Sequence, residues 1–298
     1  RHLLQSVNLD TIPYGAHFTN IDPTTKTALA DNFDKPYLGY STINEYEANG
    51  NSSYHSLQVQ GNRRFSRGLQ FGAVWTWSKF MDETDNDQQT ISLYVNPKVW
   101  DYGKSLGFDH THSVSVNFLY DVPRASKLWK AAAVRWAFDN WELAGIATFM
   151  DGSPMGISYS LINGADVTGG GDGSRVVVLA NATLPSGQRT IYQYFNTSAF
   201  AAPVVGSIGN APHDVFRGPG TNNWDLSIFK NFPIKEKAKF QFRWELYNAF
   251  NHPSFSGVNT SASFSAPGST TQLNSQFGQV TSTNGLPRVM QGSLRFTF

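Results

Sequence analysis

The sequence predicts an all-β fold in which long antiparallel strands form a transmembrane β-barrel, and three observations support this prediction. Apolar and polar residues alternate with a period of two, which places successive side chains on opposite faces of a strand. The alternating segments match the ~9–11 residues of a tilted strand crossing a bilayer and exceed the ~5–6 residues usual in soluble sheets. The linkers between them are alternately short and long, as in outer-membrane barrels.

Composition excludes several other classes of protein. The 298 residues include no Cys and carry a net charge of +1. A disulfide framework and thiolate metal sites are therefore excluded, and nothing indicates a nucleic-acid partner. The longest apolar run, Val176 to Ala180, is far shorter than the ~18 residues of a membrane helix. Charged residues make up 15% of the chain, against ~25% in an average soluble domain.

Seven segments carry the alternation in full. They are "YHSLQVQGNRR" (54–64), "GLQFGAVWTWSK" (68–79), "HSVSVNFLYDVP" (112–123), "WELAGIATF" (141–149), "NWDLSIFKNF" (223–232), "FQFRWELYN" (240–248) and "MQGSLRFTF" (290–298). Leu3 to Val7 is predicted to be the tail of one more strand. A soluble sandwich would show the same alternation with its polar face in water, but strand length and aromatic content favour the membrane alternative.

Each predicted strand has an aromatic face for lipid and a polar face for the barrel lumen. The residues predicted to face lipid or to form an aromatic girdle are Phe71, Trp75, Trp77, Trp141, Trp224, Phe240, Phe242 and Trp244. Those predicted to face the lumen are Gln70, Gln241, Arg243, Glu245 and Arg295. Trp77, Trp141 and Trp224 lie near strand ends, where indole rings favour the membrane interface. Plain core packing is the alternative for these three.

The linkers predict which end of the barrel faces outward. Long loops are expected at about 8–53, 81–111, 151–223 and 251–287, and short or moderate connections at 65–68, 123–140 and 233–237. Outer-membrane barrels have long extracellular loops and short periplasmic turns. Within the connections we expect a short helix or irregular turn at 126–138, hairpins around "MGISYSL" and "RVVVLA", and a flexible Gly-rich linker in "TGGGDGS".

Five stretches of the sequence resemble, in order, the C-terminal barrel of TonB-dependent outer-membrane receptors. They are "NRRFSRGLQFGAVWTWSK", "WELAGIATFMDGSPMGI", "FRGPGTNNWDLSIFKNFPI", "FQFRWELYNAFNHPSF" and "FGQV" followed by "LPRVMQGSLRFTF". The nearest branch is the Oar-like one, whose members carry a carboxypeptidase-regulatory-like domain before the plug. Because such receptors have about 22 strands, the resemblance implies that 1–298 is a C-terminal fragment of one barrel domain, with seven or eight strands. The plug and the N-terminal domains would be absent from it.

The resemblance also implies function and partners. The extracellular loops would capture an oligosaccharide, peptide or chelate, and the TonB complex would act on the missing plug segment to release it through the barrel. Outer-membrane lipid and the barrel assembly machinery are the other expected partners. The last strand, through Leu294, Phe296 and Phe298, would be the signal read by that machinery; an ordinary amphipathic strand is the alternative.

Two short motifs suggest metals, but neither predicts a site. "FDHTH" brings Asp109, His110 and His112 together, and histidines at i and i+2 share one side of a strand; a loop-to-strand boundary is the favoured interpretation. "DETDND" (82–87) lacks the Gly and the final Glu of a calcium loop, which favours a solvated acidic loop. We therefore predict no metal site and no cofactor.

No enzyme motif is present in the sequence. GxSxG, HExxH and a P-loop are all missing, and Arg243 and Glu245 are expected to join a charge ladder across the lumen wall, not an acid–base pair. We therefore predict that the protein is not an enzyme. Two alternatives to a receptor are a structural or adhesive outer-membrane barrel and a soluble carbohydrate-binding β-sandwich. The upstream sequence would distinguish a receptor from an adhesin, because only a receptor has a plug and a TonB-contacting segment.

Overall fold

The computed structural model describes residues 2–86, 88–171, 173–235 and 238–298, and a sheet of seven long antiparallel strands dominates it. Strands are numbered along the chain. The long strands are β3 (Ser52–Ser66), β4 (Leu69–Asp82), β7 (His112–Asp121), β8 (Trp141–Met150), β14 (Thr221–Lys235), β15 (Ala238–Tyr247) and β19 (Val289–Thr297). Each pairs with the next along the chain, so β3 and β19 form the two edges of an open sheet. We call this sheet the wall.

The other described elements are short and lie in the connections. The short strands are β1 (Leu3–Asn8), β2 (Asn44–Gly50), β5 (Gln89–Ile91), β6 (Gly103–Lys104), β9 (Pro154–Met155), β10 (Ser158–Leu161), β11 (Val177–Val178), β12 (Phe200–Ala201), β13 (Phe216–Arg217), β16 (Ser254–Val258), β17 (Ser261–Phe264) and β18 (Val280–Asn284). The α-helices are α1 (Ala16–Thr19), α2 (Pro97–Trp100) and α3 (Ala132–Phe138), and 3-10 turns cover Asp31–Phe33, Ala125–Lys127, Ser186–Gln188 and Thr197–Ala199. Among the described residues, no helix has the length and apolar character to cross a membrane.

Short and long connections lie at opposite ends of the wall, because consecutive strands run in opposite directions. The β3–β4 connection is a two-residue turn in which Arg67 and Gly68 both have positive φ, +53° and +80°. This geometry suits the twist of a tight hairpin. At the same end, β14 runs to Lys235 and β15 begins at Ala238, so the rest of the predicted 233–237 turn lies outside the described residues. The long connections, 83–111, 151–220 and 248–288, leave from the other end.

The β7–β8 connection contains the helix that the sequence left open. A 3-10 turn and α3 fill much of 122–140, and Asp139 accepts a hydrogen bond from the backbone N–H of Ser126 at 3.0 Å. Trp129 and Trp136 are 65% and 71% exposed. The connection therefore presents indole rings at the short-turn end of the wall.

Leu3–Val7 lies in a strand, as predicted, but the expectation that this strand belongs to the wall is wrong. β1 pairs antiparallel with β2 and parallel with β5, in a separate three-stranded sheet. Gln5 and Ser6 are buried in it, and the side-chain amide of Gln5 donates to Glu83 at 3.4 Å. Gln5, Ser6 and Val7 are consecutive buried residues, so burial in this segment does not follow the alternation of a wall strand.

The long connections 151–220 and 248–288 pack together around an apolar core, which we call the loop lobe. Its buried members are Ile157, Val176, Ala182, Tyr194, Phe195, Ala199, Phe200, Ala202, Ala211, Phe216, Val258, Ala262, Phe264 and Phe277. The hairpin predicted at "MGISYSL" is wrong, because its strand β10 pairs in parallel with β17 of the other connection. The strand in "RVVVLA" pairs antiparallel with β12, the next strand of the same connection, as in a hairpin with a long loop.

The described part of the Gly-rich segment "TGGGDGS" packs against the N-terminal region. The prediction that this segment is a flexible linker is therefore wrong. The backbone N–H of Gly15 donates to Thr168 O at 2.8 Å, and that of His17 donates to Gly169 O at 2.9 Å. Gly169 has a φ of +70°, and a Cβ there would lie 2.8 Å from the Cα of Gly15. Glycine is needed because two backbones meet at this point.

Candidate functional site

The strand register of the wall aligns one apolar face and one polar face across all seven strands. Trp75 pairs with Val59 on one side and Val114 on the other. Val116, two residues after Val114 in β7, pairs with Ala147 of β8. Because paired residues share a face of a sheet, the alternation in each strand gives a largely apolar surface across the wall, with charged exceptions such as Arg63 and Lys230.

The register also gives the face of each residue selected from the sequence. One face carries all eight residues predicted to meet lipid, namely Phe71, Trp75, Trp77, Trp141, Trp224, Phe240, Phe242 and Trp244. The other carries Gln70, Gln241, Arg243, Glu245 and Arg295. Contact of the first face with lipid and of the second with a lumen stays a prediction.

The three tryptophans predicted for the girdle lie at both ends of the wall. Trp77 forms the last pair between β4 and β7, with His112, and Trp224 packs edge-on against Phe250 in the long connection after β15. Both are near the loop lobe. Trp141 lies at the short-turn end, where its indole N–H donates to Ala137 O at 2.9 Å.

On the polar face, the charge ladder expected of Arg243 and Glu245 does not form. The two side chains pair with each other along β15, with 3.2 Å between Arg243 Nε and Glu245 Oε1. Across the strands, Arg243 faces Phe229, whose ring centre is 4.8 Å from its guanidinium carbon. The cross-strand partners of Glu245 are Ser227 and Gln291. These partners are uncharged, so no ladder of charges can be built there.

The last strand continues the apolar face. Phe296 lies 4.8 Å from Phe240 and 5.6 Å from Phe298, measured between ring centres. Leu294 and Phe298 are 76% and 92% exposed. The role of these residues as an assembly signal stays a prediction.

The acidic segment after β4 is not the solvated loop that the sequence favoured. Asp82, Glu83 and Thr84 are buried, and Asp85 Oδ1 accepts hydrogen bonds from the Ser105 hydroxyl and the Leu106 backbone. Asp87 lies outside the described residues. The segment is buried because residues 105–106, later in the same connection, fold back onto it and His213 of the loop lobe contacts it.

Asp82, Asp85 and His213 form a compact group between two long connections. His213 Nε2 lies 3.2 Å from Asp85 Oδ2, and one ligand atom from each of the three lies within 4.8 Å of the others. Asp82 belongs to the end of β4 that projects past its pairing with β7. Burial raises the pKa of Asp82 to about 6. Burial also acts to raise the pKa of Asp85, but hydrogen bonds from His213 and Leu106 leave it below its ordinary value.

The "FDHTH" motif lies at the loop-to-strand boundary, as its favoured interpretation predicts, with His112 opening β7. His110 Nδ1 lies 2.7 Å from Asp151 O. The ring of His112 stacks on Trp75 and accepts its indole N–H at 3.2 Å. The two imidazoles have different partners and do not converge on one point.

Asp109 of the same motif is the buried partner of Arg217. Its Oδ1 accepts the Phe80 N–H at 2.6 Å, and its Oδ2 pairs with the guanidinium. Arg217 also donates to Gly152 O at 2.9 Å and to the Thr111 hydroxyl. One arginine thus joins the connections 83–111 and 151–220 at the points where they meet the wall.

A cleft of about 490 Å³ lies between the connections beside His213, and Arg175 lines it. Arg175 Nη2 donates to Asp101 Oδ1 at 2.6 Å, and its guanidinium carbon lies 4.1 Å from the centre of the Trp100 ring. Burial raises the pKa of Asp101 although the arginine lowers it. The lining of the cleft therefore offers a positioned cation and an imidazole, a set that suits carboxylate groups, and Trp100 packs on the guanidinium.

A second cavity, of about 540 Å³, opens where the polar face meets the connections. Asn223, Asp225 and Tyr247 of the wall line it, together with Asn284 of the last long connection. The cavity gives the polar face an entrance between the loops.

The family model described as "Outer membrane beta barrel domain" matches residues 1–291. The chain belongs to this family. Membership in the outer membrane beta barrel family indicates that the protein resides in the outer membrane, and it argues against the soluble sandwich. Searches of the curated proteins and of the solved structures found no match.

In this outer membrane beta barrel protein, sequence reasoning missed Asp85, Arg175, His213 and Arg217 as a group. They come from two connections, and Asp85 and His213 are 128 positions apart. No spacing within one segment signals such a contact. Asp85 lies in "DETDND" and Arg217 in "FRGPGTNNWDLSIFKNFPI", but neither segment by itself predicted these contacts.

Proposed function

We propose that this chain is part of a TonB-dependent receptor of the Oar-like branch, whose loop lobe captures a ligand outside the cell. The observation that carries the proposal is the packed lobe, with its cleft and entrance cavity, at one end of a two-faced wall. A ligand held there would stand directly above the polar face. The sequence resemblance supplies the link to TonB, since the family membership concerns only the barrel.

The proposed mechanism depends on where the cleft and the cavity lie relative to the polar face, and in it this chain makes and breaks no covalent bond. Arg175 and His213 would bind a carboxylate, sugar or chelate group in the cleft, and Trp100 would hold the Arg175 guanidinium in place. Asn223, Asp225 and Tyr247 would then meet the ligand at the polar face. A plug from the rest of the receptor, moved by the TonB complex, would open the path past residues such as Gln241 and Arg295. Outer-membrane lipid would cover the apolar face.

Uptake measurements test this proposal. Cells that produce the full receptor should accumulate its ligand only when the TonB complex is active, while surface binding should persist without it. The probe would be chosen by screening labelled oligosaccharides, peptides and metal chelates for surface binding. Arg175→Gln should weaken that binding, and Arg64→Gln, on an exposed strand end, should not. Accumulation that is independent of TonB would overturn the proposal.

A second candidate is a structural or adhesive role, and one exposed segment favours it. Phe33, Leu38 and Tyr40 are each more than 60% exposed in the connection between β1 and β2. Exposed apolar side chains grouped in a loop are typical of protein contact sites. If this role is correct, substituting the three residues with Ser should abolish cell–cell or cell–surface attachment while ligand accumulation is unchanged.

A further inference from the structure

We propose that Asp82, Asp85 and His213 bind one divalent transition-metal ion, with Zn²⁺ the best fit. The three side chains come from the end of β4, the connection that follows it, and the connection 151–220. An ion at this point would join two of the long connections. The site is independent of the proposed receptor function, because it rests only on the geometry of these three groups.

The distances suit a metal with little rearrangement. Zn²⁺ lies ~2.0–2.1 Å from its nitrogen and oxygen ligands, so ligand atoms at the corners of a tetrahedron are ~3.3 Å apart. His213 Nε2 and Asp85 Oδ2 are already 3.2 Å apart. A carboxylate oxygen of Asp82 is within 4.8 Å of both groups.

A second and independent observation is the state of the Asp82 carboxylate. The residue is 2% exposed, and its Oδ1 is buried with no hydrogen-bond partner among the described residues. A buried carboxylate oxygen without a partner is costly. A hydrogen bond between Asp85 and His213 alone would leave that oxygen unsatisfied, whereas a shared cation would satisfy it.

The basic side chains nearby are already engaged elsewhere. Arg217 pairs with Asp109, and Lys104 Nζ lies 3.3 Å from Asp214 Oδ2. Neither of these pairings includes Asp82. A bound cation is therefore the group best placed to balance the Asp82 and Asp85 carboxylates.

The donor set selects the kind of metal. One imidazole with two carboxylates suits Zn²⁺ and its neighbours in the transition series. Ca²⁺ takes six to eight oxygen ligands and Mg²⁺ keeps several waters, so both should bind more weakly here. Three protein ligands leave a fourth position open. His213 also lines the cleft, so a water or a donor atom of a captured ligand would fill that position.

The test is metal binding by the full-length protein, purified in detergent without a polyhistidine tag. After chelator treatment, titration with ZnCl₂ should show one ion per chain, with Mn²⁺ weaker and Ca²⁺ and Mg²⁺ weaker still. Asp85→Asn, His213→Gln and Asp82→Asn should each weaken Zn²⁺ binding at least tenfold. Co²⁺ in place of Zn²⁺ should give visible d–d absorption that His213→Gln abolishes.

Matched controls separate loss of the site from loss of the fold. His252→Gln, on an exposed residue, and Asp22→Asn, on a half-buried one, make the same substitutions outside the group and should bind Zn²⁺ as the unaltered protein does. Heat-modifiable gel mobility reports folding, and only folded variants are compared. Absence of Zn²⁺ binding by the folded unaltered protein would overturn the proposal. So would unaltered affinity in folded Asp85→Asn and His213→Gln, since the ion would then lie elsewhere.

Discussion

Arg217 and Asp109 form an ion pair, with a fully buried carboxylate, between residues 108 positions apart in the chain. The aspartate lies near the end of one long connection and the arginine near the end of the next. Both are adjacent to wall strands. The pair therefore holds the ends of two long connections together where they meet the wall.

Replacing Arg217 with Met should destabilise the protein by about 3 kcal/mol. Removing one partner of a buried pair costs ~3–5 kcal/mol because the remaining charge is buried alone, and the Arg217 side chain is 25% exposed, which favours the lower end. Urea unfolding in detergent, followed by tryptophan fluorescence, measures the change. The double variant with Asp109→Asn should be more stable than Arg217→Met alone. Equal stability of Arg217→Met and the exposed control Arg64→Met would contradict the prediction.

Phe195 should be the most sensitive position in the loop lobe. Its ring contacts Phe216, Phe277 and Phe200 at centre distances of 4.5, 5.0 and 5.8 Å, and it is 1% exposed. Phe195→Ala should cost ~3–5 kcal/mol and make 151–220 sensitive to protease while the wall stays intact. Tyr192→Ala, at a 73% exposed position, serves as the control. Proteolysis at the same rate in both variants would show that the lobe does not depend on this core.

A charge on the apolar face should impair insertion far more than a charge on the polar face. Trp75 and Thr76 are neighbours on β4 and lie on opposite faces at nearly the same depth. Lys at the bilayer midplane costs ~2–4 kcal/mol on a lipid-facing position. Trp75→Lys should therefore reduce the folded fraction on heat-modifiable gels, whereas Thr76→Lys and Gln70→Lys should not. The same loss in all three would mean that the two faces do not differ in their contact with lipid, and a loss confined to Thr76→Lys and Gln70→Lys would mean that the faces are reversed.

The contact between the N-terminal region and the Gly-rich segment should weaken in acid. Burial acts to raise the pKa of Asp166, but hydrogen bonds from His17, at 2.8 Å, and from Gly169 lower it below its ordinary value. A carboxyl with a lowered folded-state pKa stabilises the fold above its unfolded pKa of ~3.9, and that contribution is lost as the pH falls through the folded pKa. The melting-temperature difference between the unaltered protein and Asp166→Asn should be largest near pH 7 and shrink below about pH 4. A constant difference from pH 7 to pH 3 would rule out Asp166 as the cause.

The connection 122–140 should lie in the membrane interface at the short-turn end. Trp129 and Trp136 are exposed, and basic residues such as Lys127 and Lys130 flank them, a combination that favours lipid headgroups. The chain has no Cys, so a spin label on Leu128→Cys reports this site alone. The label should collide with oxygen more than a label on Asn163→Cys, which lies in the loop lobe. Accessibility equal to that of the lobe label would exclude interfacial contact.

The wall could be predicted from sequence because its rule is local. The alternation around Trp75, Phe118 and Trp244 depends only on strand geometry, and the register then follows from tight turns such as Arg67–Gly68. Leu3–Val7 shows the limit of that rule. A short strand can pair within a small separate sheet as well as within a wall, and its local sequence does not distinguish the two.

The cluster at the loop bases could not be predicted, for a different reason. Asp85 and His213 meet only because two connections fold together, and that packing depends on distant contacts such as Phe195 with Phe277. Similarly, the glycines of 169–171 look like a linker until the backbone of Gly15 is placed against them. Residue type in a loop indicates possible chemistry, but the partner is set by tertiary structure.

The parallel pairing of β10 with β17 has a consequence for the order of folding. Ser158 and Ser261 are 103 positions apart, and between them the chain forms the β14–β15 hairpin of the wall. Contacts with such large sequence separation form slowly because loop-closure entropy must first be overcome. Once the β14–β15 hairpin has formed, the flexible chain that must close between β10 and β17 is effectively shorter. The lobe should therefore be the last part of the molecule to become ordered, and its amide hydrogens should exchange with solvent before those of the wall.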